Sequence, residues 1–289
     1  MNNAINIGDI LNEIRARRWI KSILIFLPVL WVSHVVSFQV YQLFIGFCAL
    51  SLTSSIVYIF NDIKDRELDR KHPKKKFRPI ASGRMSVQMG VAIAFVLAIA
   101  VAGLLLVLNI PQFTLVVIAM LVLNTLYTNF AKNIPYIELI ILGSLYALRV
   151  AAGFLILGMT IPVFAMLFIV FTTMFMKALQ RYIEMKKYGD VARKVLAHYS
   201  ESAIRRVLVI VLMLGVIFYH LTVSFITGPV LLTDIFVISV LFYLDDLVYS
   251  AKNIEKLSDN LVELVLSNRL LLTLVLIAVA SLLIMRYWV

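Results

Sequence analysis

The long apolar stretches of this chain restrict its fold more than any other feature. Of its 289 residues, 62% are hydrophobic and only 15% are charged, which is too apolar for a soluble globular domain. A helix needs about 20 apolar residues to cross a hydrocarbon core of about 30 Å. The sequence therefore predicts an all-α polytopic membrane protein with nine transmembrane helices, near residues 22–38, 41–60, 87–108, 112–128, 136–157, 162–178, 207–226, 231–248 and 270–288.

The basic residues predict the orientation of these spans. If the spans alternate, 25 of the 27 lysines and arginines lie in the N-terminal segment and in the four connections on the same face. The positive-inside rule assigns that face to the cytoplasm. We expect a multi-pass protein of the inner (cytoplasmic) membrane, with its N-terminus inside, its C-terminus outside and its active site facing the cytoplasm. No cleavable signal is predicted, because residues 1–18 are polar and basic.

Three aspartates follow the second apolar stretch, in the segment Asn61-Asp62-Ile-Lys-Asp65-Arg-Glu-Leu-Asp69. On a continuous helix, their i, i+3 and i+7 spacing would put the three carboxylates within about 60° of one another. Like charges at this spacing oppose helix formation unless a cation lies among them. Magnesium takes oxygen ligands and usually completes its shell with water and substrate phosphates. The segment therefore predicts a Mg²⁺ and phosphate site.

A cluster of cations follows the aspartates in the same loop, and it includes Lys76, Arg78 and Arg84. Two explanations of the net charge of +11 remain open. The first is topology, since cytoplasmic loops are commonly basic and face anionic lipid headgroups. The second is local, because cations beside a metal site suit a polyphosphate. Nucleic acid is not expected as a partner, because aromatic residues for base stacking do not accompany the basic ones.

The aspartate segment resembles the first aspartate-rich motif of the UbiA superfamily of intramembrane prenyltransferases. The continuation from Asp69 through His72-Pro73 to Gly83 is similar to the decaprenyl-phosphate phosphoribosyltransferase branch. Further segments resemble that branch at Arg18-Trp-Ile-Lys21, from Leu126 through Lys132 to Arg149-Val-Ala-Ala-Gly153, and at Arg181-Tyr-x-Glu184. The resemblance implies one transmembrane domain over 1–289, with a first catalytic loop at 61–86 and a second at 179–206.

The resemblance also implies the residues of the site. Asp62, Asp65 and Asp69 are the expected catalytic residues and Mg²⁺ ligands. The expected substrate-binding residues are Lys21, Asn61, Lys64, His72, Lys76, Arg78, Tyr127, Lys132, Glu138, Arg149, Lys177, Arg181 and Glu184.

The 6–7 loop departs from the pattern of the aromatic prenyltransferases, which carry a second aspartate-rich motif there. This chain has instead Lys177, Gln180, Arg181 and Glu184, a basic stripe with one acid that suits a phosphate. Gln180 stands where the resemblance would put a lysine. The missing second motif favours one metal on a sugar diphosphate over a two-metal clamp on a prenyl diphosphate.

Glu138 and Arg149 are ionisable residues within the fifth predicted span, about 16 Å apart along the helix. A charge inside a membrane is costly unless it faces the bundle interior, a watery cavity or a counter-charge. Two interpretations remain open. Both residues could line one cavity, or each could make a structural hydrogen bond or ion pair with another helix.

The sequence therefore predicts Mg²⁺-dependent transfer of 5-phosphoribose from phosphoribosyl diphosphate to a polyprenyl phosphate. The first alternative is a prenyltransferase that moves a prenyl group from its diphosphate to an aromatic or other acceptor. The second is a non-enzymatic lipid carrier, which would gain nothing from three clustered carboxylates without a metal. A homo-oligomer is compatible with the sequence, which does not specify the oligomeric state.

Overall fold

The structure is a computed structural model that describes residues 6–32, 36–71, 75–188 and 194–227, together with the isolated positions 238, 239, 243, 269, 272, 273 and 276. In these residues all regular secondary structure is helical. The α-helices are α1 (Ile7–Glu13), α2 (Ser37–Lys64), α3 (Arg66–Arg70), α4 (Pro79–Ser82), α5 (Val87–Leu108), α6 (Pro111–Asn129), α7 (Ile137–Ile156), α8 (Val163–Tyr188) and α9 (Glu201–Thr227). The 3₁₀ helices are Ala16–Trp31, Lys75–Phe77, Ala131–Asn133 and Lys194–His198.

Six of the described helices are long and apolar enough to cross a membrane, namely α2 and α5 to α9. They correspond to the second to seventh predicted spans, so the all-helical membrane-spanning class is confirmed. Large apolar side chains such as Phe95, Ile99 and Leu106 lie exposed along α5, as expected of a helix facing lipid. The eighth and ninth predicted spans fall almost wholly outside the described residues. The total of nine and the orientation remain predictions.

Several predicted bounds are wrong. The first span was expected at 22–38, but the chain forms a 3₁₀ helix over Ala16–Trp31 that contains Pro28, and α2 begins at Ser37. Helix α8 continues past the predicted end at 178 to Tyr188. Hydropathy falls at Lys177, but the last turns bury Leu179, Tyr182 and Ile183, and this apolar stripe keeps them helical.

The chain divides into two compact units. Unit 1 comprises residues 1–128 and 148–160, and unit 2 comprises residues 129–147 and 161–289. In unit 1, α2 packs against α5 and against the 3₁₀ helix Ala16–Trp31. Gly153 allows this 3₁₀ helix to approach α7, because a Cβ at Gly153 would lie 2.0 Å from the carbonyl oxygen of Ile25.

Unit 2 is built on the packing of α8 against α9. Its core joins Phe175, Leu179 and Ile183 of α8 to Ile204 and Leu208 of α9, all fully buried. Leu139 of α7 and residues of the 3₁₀ helix Lys194–His198 complete the same cluster. The early turns of α7 and the segment before α9 are therefore held against the C-terminal half of α8.

Candidate functional site

In unit 1, two of the three predicted aspartates share one guanidinium group. Arg78 Nη1 donates to Asp62 Oδ1 at 3.0 Å and to Asp69 Oδ2 at 2.5 Å. Arg15 Nη2 also donates to Asp62 Oδ1, and Lys75 Nζ lies 3.8 Å from Asp69 Oδ1. Both carboxylates are almost fully buried, with 3% and 4% of their side chains exposed. Charge-assisted pairs of this kind are the usual way to hold an ionised carboxylate away from water.

Local sequence explains how Arg78 reaches the aspartates. Arg78 precedes Pro79 and is extended, at φ −63° and ψ 144°, because a residue before proline avoids the helical region. Pro79 begins α4, and Gly83 ends it at φ 81°, which is a left-handed conformation that glycine adopts without strain. Arg70 Nε donates to the Ala81 carbonyl at 3.1 Å and ties α3 to α4.

Asp65 lies at the junction of two helices, because α2 ends at Lys64 and α3 begins at Arg66. Asp65 is the residue between them, at φ −89° and ψ 7°. The expected continuous helix through all three aspartates is therefore wrong. Asp62 and Asp69 nevertheless face the same nitrogen of Arg78 across this break.

The residues at Asp62 and Asp69 still fit magnesium. In the described part of the chain, no three Asp, Glu, His or Cys side chains form a group that could hold a metal ion. Magnesium, however, is commonly held by only one or two carboxylates together with substrate phosphates. Asp62 and Asp69 provide two, and they already enclose one cationic nitrogen.

Glu13 is a buried acid that the sequence did not single out. It ends α1 and is 0% exposed, with the Ile80 backbone beside its carboxyl group. Burial, followed by the negative charge of Asp62, raises the pKa of Glu13 to about 7. Arg15 and Arg78 act in the opposite direction. Glu13 therefore belongs electrostatically to the Asp62 cluster.

A set of cations extends along the 3₁₀ helix Ala16–Trp31. The positive charges of Arg18, Arg149 and Arg15 interact electrostatically with the ammonium of Lys21. Arg149 Nη2 lies 3.4 Å from the hydroxyl oxygen of Ser54 on α2, which agrees with the interhelical hydrogen bond considered for this residue. Unit 1 therefore gathers the predicted substrate cations Lys21 and Arg149 near one another.

Unit 2 holds a second charged cluster, centred on Arg181 of α8. Its Nε and Nη2 donate to the two oxygens of Glu138, at 2.7 and 3.0 Å. Its Nη1 donates to Glu184 at 3.0 Å. Arg181 and Glu138 are 2% and 0% exposed, so this is a buried, bidentate ion pair between α7 and α8. Of the two interpretations of Glu138, the structure agrees with the interhelical ion pair.

Hydrogen bonds extend this cluster in both directions. Lys177 donates to Gln180 at 3.2 Å, and Gln180 donates to Glu184 at 3.1 Å, so the predicted phosphate stripe of α8 is also an internal chain of contacts. At the other end, the Tyr199 hydroxyl lies 3.4 Å from Glu138 and accepts from the Tyr136 N–H at 3.0 Å. Burial raises the pKa of Tyr199 above its usual value, so its proton is available to Glu138.

The remaining predicted residues are spread more widely. Asn61 is half-buried in the last turn of α2, and Lys64 at its end is exposed. Lys76 is exposed, with its ammonium 5.2 Å from the Phe77 ring. Tyr127 on α6 and Lys132 in the 3₁₀ helix Ala131–Asn133 are half-buried. His72 lies outside the described residues.

Sequence reasoning missed Arg15, Glu13 and Tyr199. Arg15 was counted only among the basic residues that set orientation, although it lies 47 positions from its partner Asp62. Its guanidinium also lies 4.7 Å from the centre of the Tyr58 ring. Glu13 and Arg15 are charged residues just before an apolar stretch, which could have indicated a role at the membrane boundary. Their spacing alone does not indicate that they lie beside Asp62.

These apolar helices and the charged clusters at their ends define a helical integral membrane protein that buries several ionised side chains. Within that class the chain belongs to the UbiA prenyltransferase family, whose pattern matches residues 22–262. The resemblance seen in the aspartate motif is therefore confirmed at the level of the family.

Among similar proteins is the decaprenyl-phosphate phosphoribosyltransferase of Mycobacterium tuberculosis. It is 29% identical over 208 residues, which cover 69% of this chain and 68% of that protein. The decaprenyl-phosphate phosphoribosyltransferase of Corynebacterium glutamicum is 28% identical over 209 residues, which cover 69% of this chain and 63% of that protein.

Among solved structures, the fold is similar to that of a UbiA homologue from Archaeoglobus fulgidus bound to GPP and Mg²⁺. The TM-score is 0.70, with 14% identity, and the match covers 96% of this chain and 98% of that one. At this identity the likeness concerns the fold alone.

Proposed function

We propose that this protein transfers 5-phosphoribose from phosphoribosyl diphosphate to a polyprenyl phosphate, giving polyprenyl-phosphoryl-5-phosphoribose and diphosphate, with Mg²⁺ as cofactor. The observation that supports it most is that Asp62 and Asp69 bind the same cationic nitrogen of Arg78, with Arg15 and Lys75 also beside these carboxylates. Such a mixture of two carboxylates and several cations suits a metal-bound diphosphate. The similarity to the two phosphoribosyltransferases favours phosphoribosyl diphosphate as its source.

The second acidic cluster supports the same choice. Glu138 and Glu184 together bind all three nitrogens of Arg181, so a metal could reach these acids only by breaking the buried contact that joins α7 to α8. A prenyl diphosphate clamp of two metals would need a second set of carboxylates available to metal. The described residues favour one metal-binding set, which suits a sugar diphosphate.

The reaction needs little from the protein beyond positioning and charge stabilisation. An ionised oxygen of the acceptor phosphate forms a bond to C1 of the ribose while the bond from C1 to the diphosphate oxygen breaks. The second pKa of a phosphate monoester is about 6, so the acceptor is largely ionised at neutral pH and no general base is required. Bound magnesium would offset the charge of the departing diphosphate.

The residues of this chain have distinct parts in that scheme. Asp62 and Asp69 would hold the metal, with Asp65 as the third predicted ligand. Arg78 and Lys75 would pair with diphosphate oxygens, and Lys21 and Arg149 would reduce the repulsion between the two anionic substrates. We place the reaction at the cytoplasmic face of the inner membrane, where the donor is soluble and the acceptor is lipid.

The second candidate is transfer of a prenyl group to an aromatic or other acceptor. It is favoured by the likeness to a fold solved with GPP and Mg²⁺. The same Asp62 and Asp69 pair would hold the diphosphate in that reaction. The two candidates therefore differ in the group attached to the diphosphate and in the acceptor.

One experiment separates these candidates. The purified protein in nanodiscs is given labelled phosphoribosyl diphosphate with polyprenyl phosphate, and separately a labelled prenyl diphosphate with aromatic acceptors, with and without Mg²⁺. Magnesium-dependent label in the lipid product supports the proposal, whereas label on the aromatic acceptor supports the second candidate. Absence of product in both reactions would contradict both and favour a lipid carrier.

A matched pair of variants tests the carboxylate. Asp62→Asn should abolish turnover, because it removes a proposed metal ligand while keeping the side chain's shape. Glu67→Gln is the control, since Glu67 lies in the adjacent α3 but is exposed and pairs only with Arg66 and Arg70 among its described contacts. Turnover by Asp62→Asn equal to that of the control would reject the role of Asp62.

A further inference from the structure

Arg15 shares Asp62 with Arg78, although it comes from a different part of the chain. The guanidinium of Arg15 is mostly buried, with 14% of its side chain exposed, and it donates to the same Oδ1 atom that accepts from Arg78. Arg15 itself adopts a left-handed conformation at φ 52°, which is uncommon for a residue other than glycine. The backbone therefore accepts local strain at the residue that carries this contact.

The charges around Asp62 and Asp69 are already balanced. The two carboxylates lie within salt-bridge distance of Arg15, Arg78 and Lys75, so three cations face Asp62, Asp69 and the neighbouring acid Glu13. A bare divalent cation would enter a region with no excess of negative charge, and would have to displace a guanidinium from Asp62. A complex of magnesium with diphosphate carries a net negative charge, and it would give the displaced guanidiniums new phosphate partners.

We propose that Arg15 and Arg78 act as exchangeable counter-ions of Asp62, which pair with the carboxylate until a metal-bound diphosphate arrives and then pair with the phosphate oxygens. Metal and diphosphate consequently bind cooperatively, and the metal alone binds weakly. Arg15 is thereby assigned to the donor site as a residue that contacts the diphosphate. This inference rests on the proposed function only in requiring that Asp62 hold a metal-bound diphosphate.

The coupling follows from the competition at one oxygen. In the absence of diphosphate, a metal ion must compete with two guanidiniums for Asp62 Oδ1. Removing Arg15 eliminates one competitor and should tighten the binding of the metal alone. In the presence of diphosphate, the same change removes a phosphate contact and should weaken the combined binding. The two effects have opposite signs, which a simple loss of structure would not produce.

The test measures Mn²⁺ binding, with Mn²⁺ as a probe for magnesium, and needs no turnover. Radiolabelled Mn²⁺ retained by nanodiscs containing the full chain, above that retained by empty nanodiscs, is measured at increasing concentrations of inorganic diphosphate. For the wild type we expect diphosphate to tighten Mn²⁺ binding. Arg15→Gln should bind Mn²⁺ alone about tenfold more tightly, as expected for removal of one charge-assisted hydrogen bond, and should show less coupling.

Arg17→Gln is the matched control, because Arg17 lies two residues away, carries the same charge and is exposed. It should leave both affinities at the wild-type values. Asp62→Asn should lose the coupled binding. The proposal is overturned if diphosphate leaves Mn²⁺ binding by the wild type unchanged, or if Arg15→Gln binds Mn²⁺ alone no more tightly than Arg17→Gln.

A folding defect in Arg15→Gln does not remove the test, because the wild-type titration with diphosphate stands without any variant. Failure of this inference is also distinguishable from failure of the proposed function. Coupled binding without phosphoribosyl transfer would contradict the proposed reaction and support the exchange of counter-ions. Phosphoribosyl transfer without coupled binding would do the reverse.

Discussion

The buried pair of Arg181 and Glu138 offers the sharpest test of what stabilises unit 2. Replacing Arg181 with methionine keeps a long side chain in place but leaves Glu138 and Glu184 without their shared guanidinium. Removing one partner of a buried ion pair typically costs about 3–5 kcal/mol, because the other charge remains away from water. Arg181→Met should therefore lower the free energy of unfolding by about that amount, a shift of roughly 10² to 10⁴ in the equilibrium constant.

The measurement is reversible unfolding in mixed micelles of a mild detergent and SDS, followed by far-ultraviolet circular dichroism. Glu138→Gln in the Arg181→Met background should recover part of the loss, since one of the two stranded carboxylates is then neutral. Lys186→Met is the control, because its ammonium pairs with the exposed Glu201 and should matter little. A loss for Arg181→Met no larger than for this control would refute the reasoning.

Three further predictions concern other parts of the molecule. Gly153→Ala should destabilise the protein by about 1–3 kcal/mol, because its Cβ would meet the Ile25 carbonyl, whereas Gly103→Ala, with open space around it, should be neutral or stabilising in the same unfolding assay. The pKa of Glu13 is raised from its ordinary value of 4.5 to about 7, so the free energy of unfolding should fall as the pH rises through that range. Glu13→Gln should remove this fall in unfolding curves taken across the same range. Removing divalent ions with EDTA should abolish phosphoribosyl transfer, and added Mg²⁺ should restore it; transfer that persists in EDTA would count against the metal.

The hydropathy of the sequence predicted the bounds of those helices whose ends coincide with the ends of an apolar stretch. Helices α5 and α6 nearly coincide with the predicted spans 87–108 and 112–128. Their apolar stretches are long, and Asn109-Ile110-Pro111 between them ends the first helix and begins the second. The end of α8 was misjudged, because a charged residue such as Lys177 ends a hydropathy window without ending a helix. Its last turns depend on packing against α9, which a local pattern does not contain.

The candidate site shows the same division. The aspartate motif and Arg78 were found because they are close together in the sequence. Partners far apart in the chain were not, since Arg15 is 47 positions from Asp62 and Arg181 is 43 from Glu138. A basic residue near a membrane also has two explanations, topology and binding, and only its contacts distinguish them.

The turn at Arg15 has a consequence for how this chain can vary in length. Just after the turn, Trp19 donates to Ser55 at 3.0 Å, and Ser55 donates to the Ile14 carbonyl at 2.7 Å. These bonds fasten the chain to α2 on both sides of Arg15, so an inserted or deleted residue between them would turn the guanidinium away from Asp62. Residues 1–18 are polar and basic, a composition in which insertions and deletions are ordinarily tolerated. Among related sequences we nevertheless expect the stretch from Ile14 to Trp19 to keep a constant length.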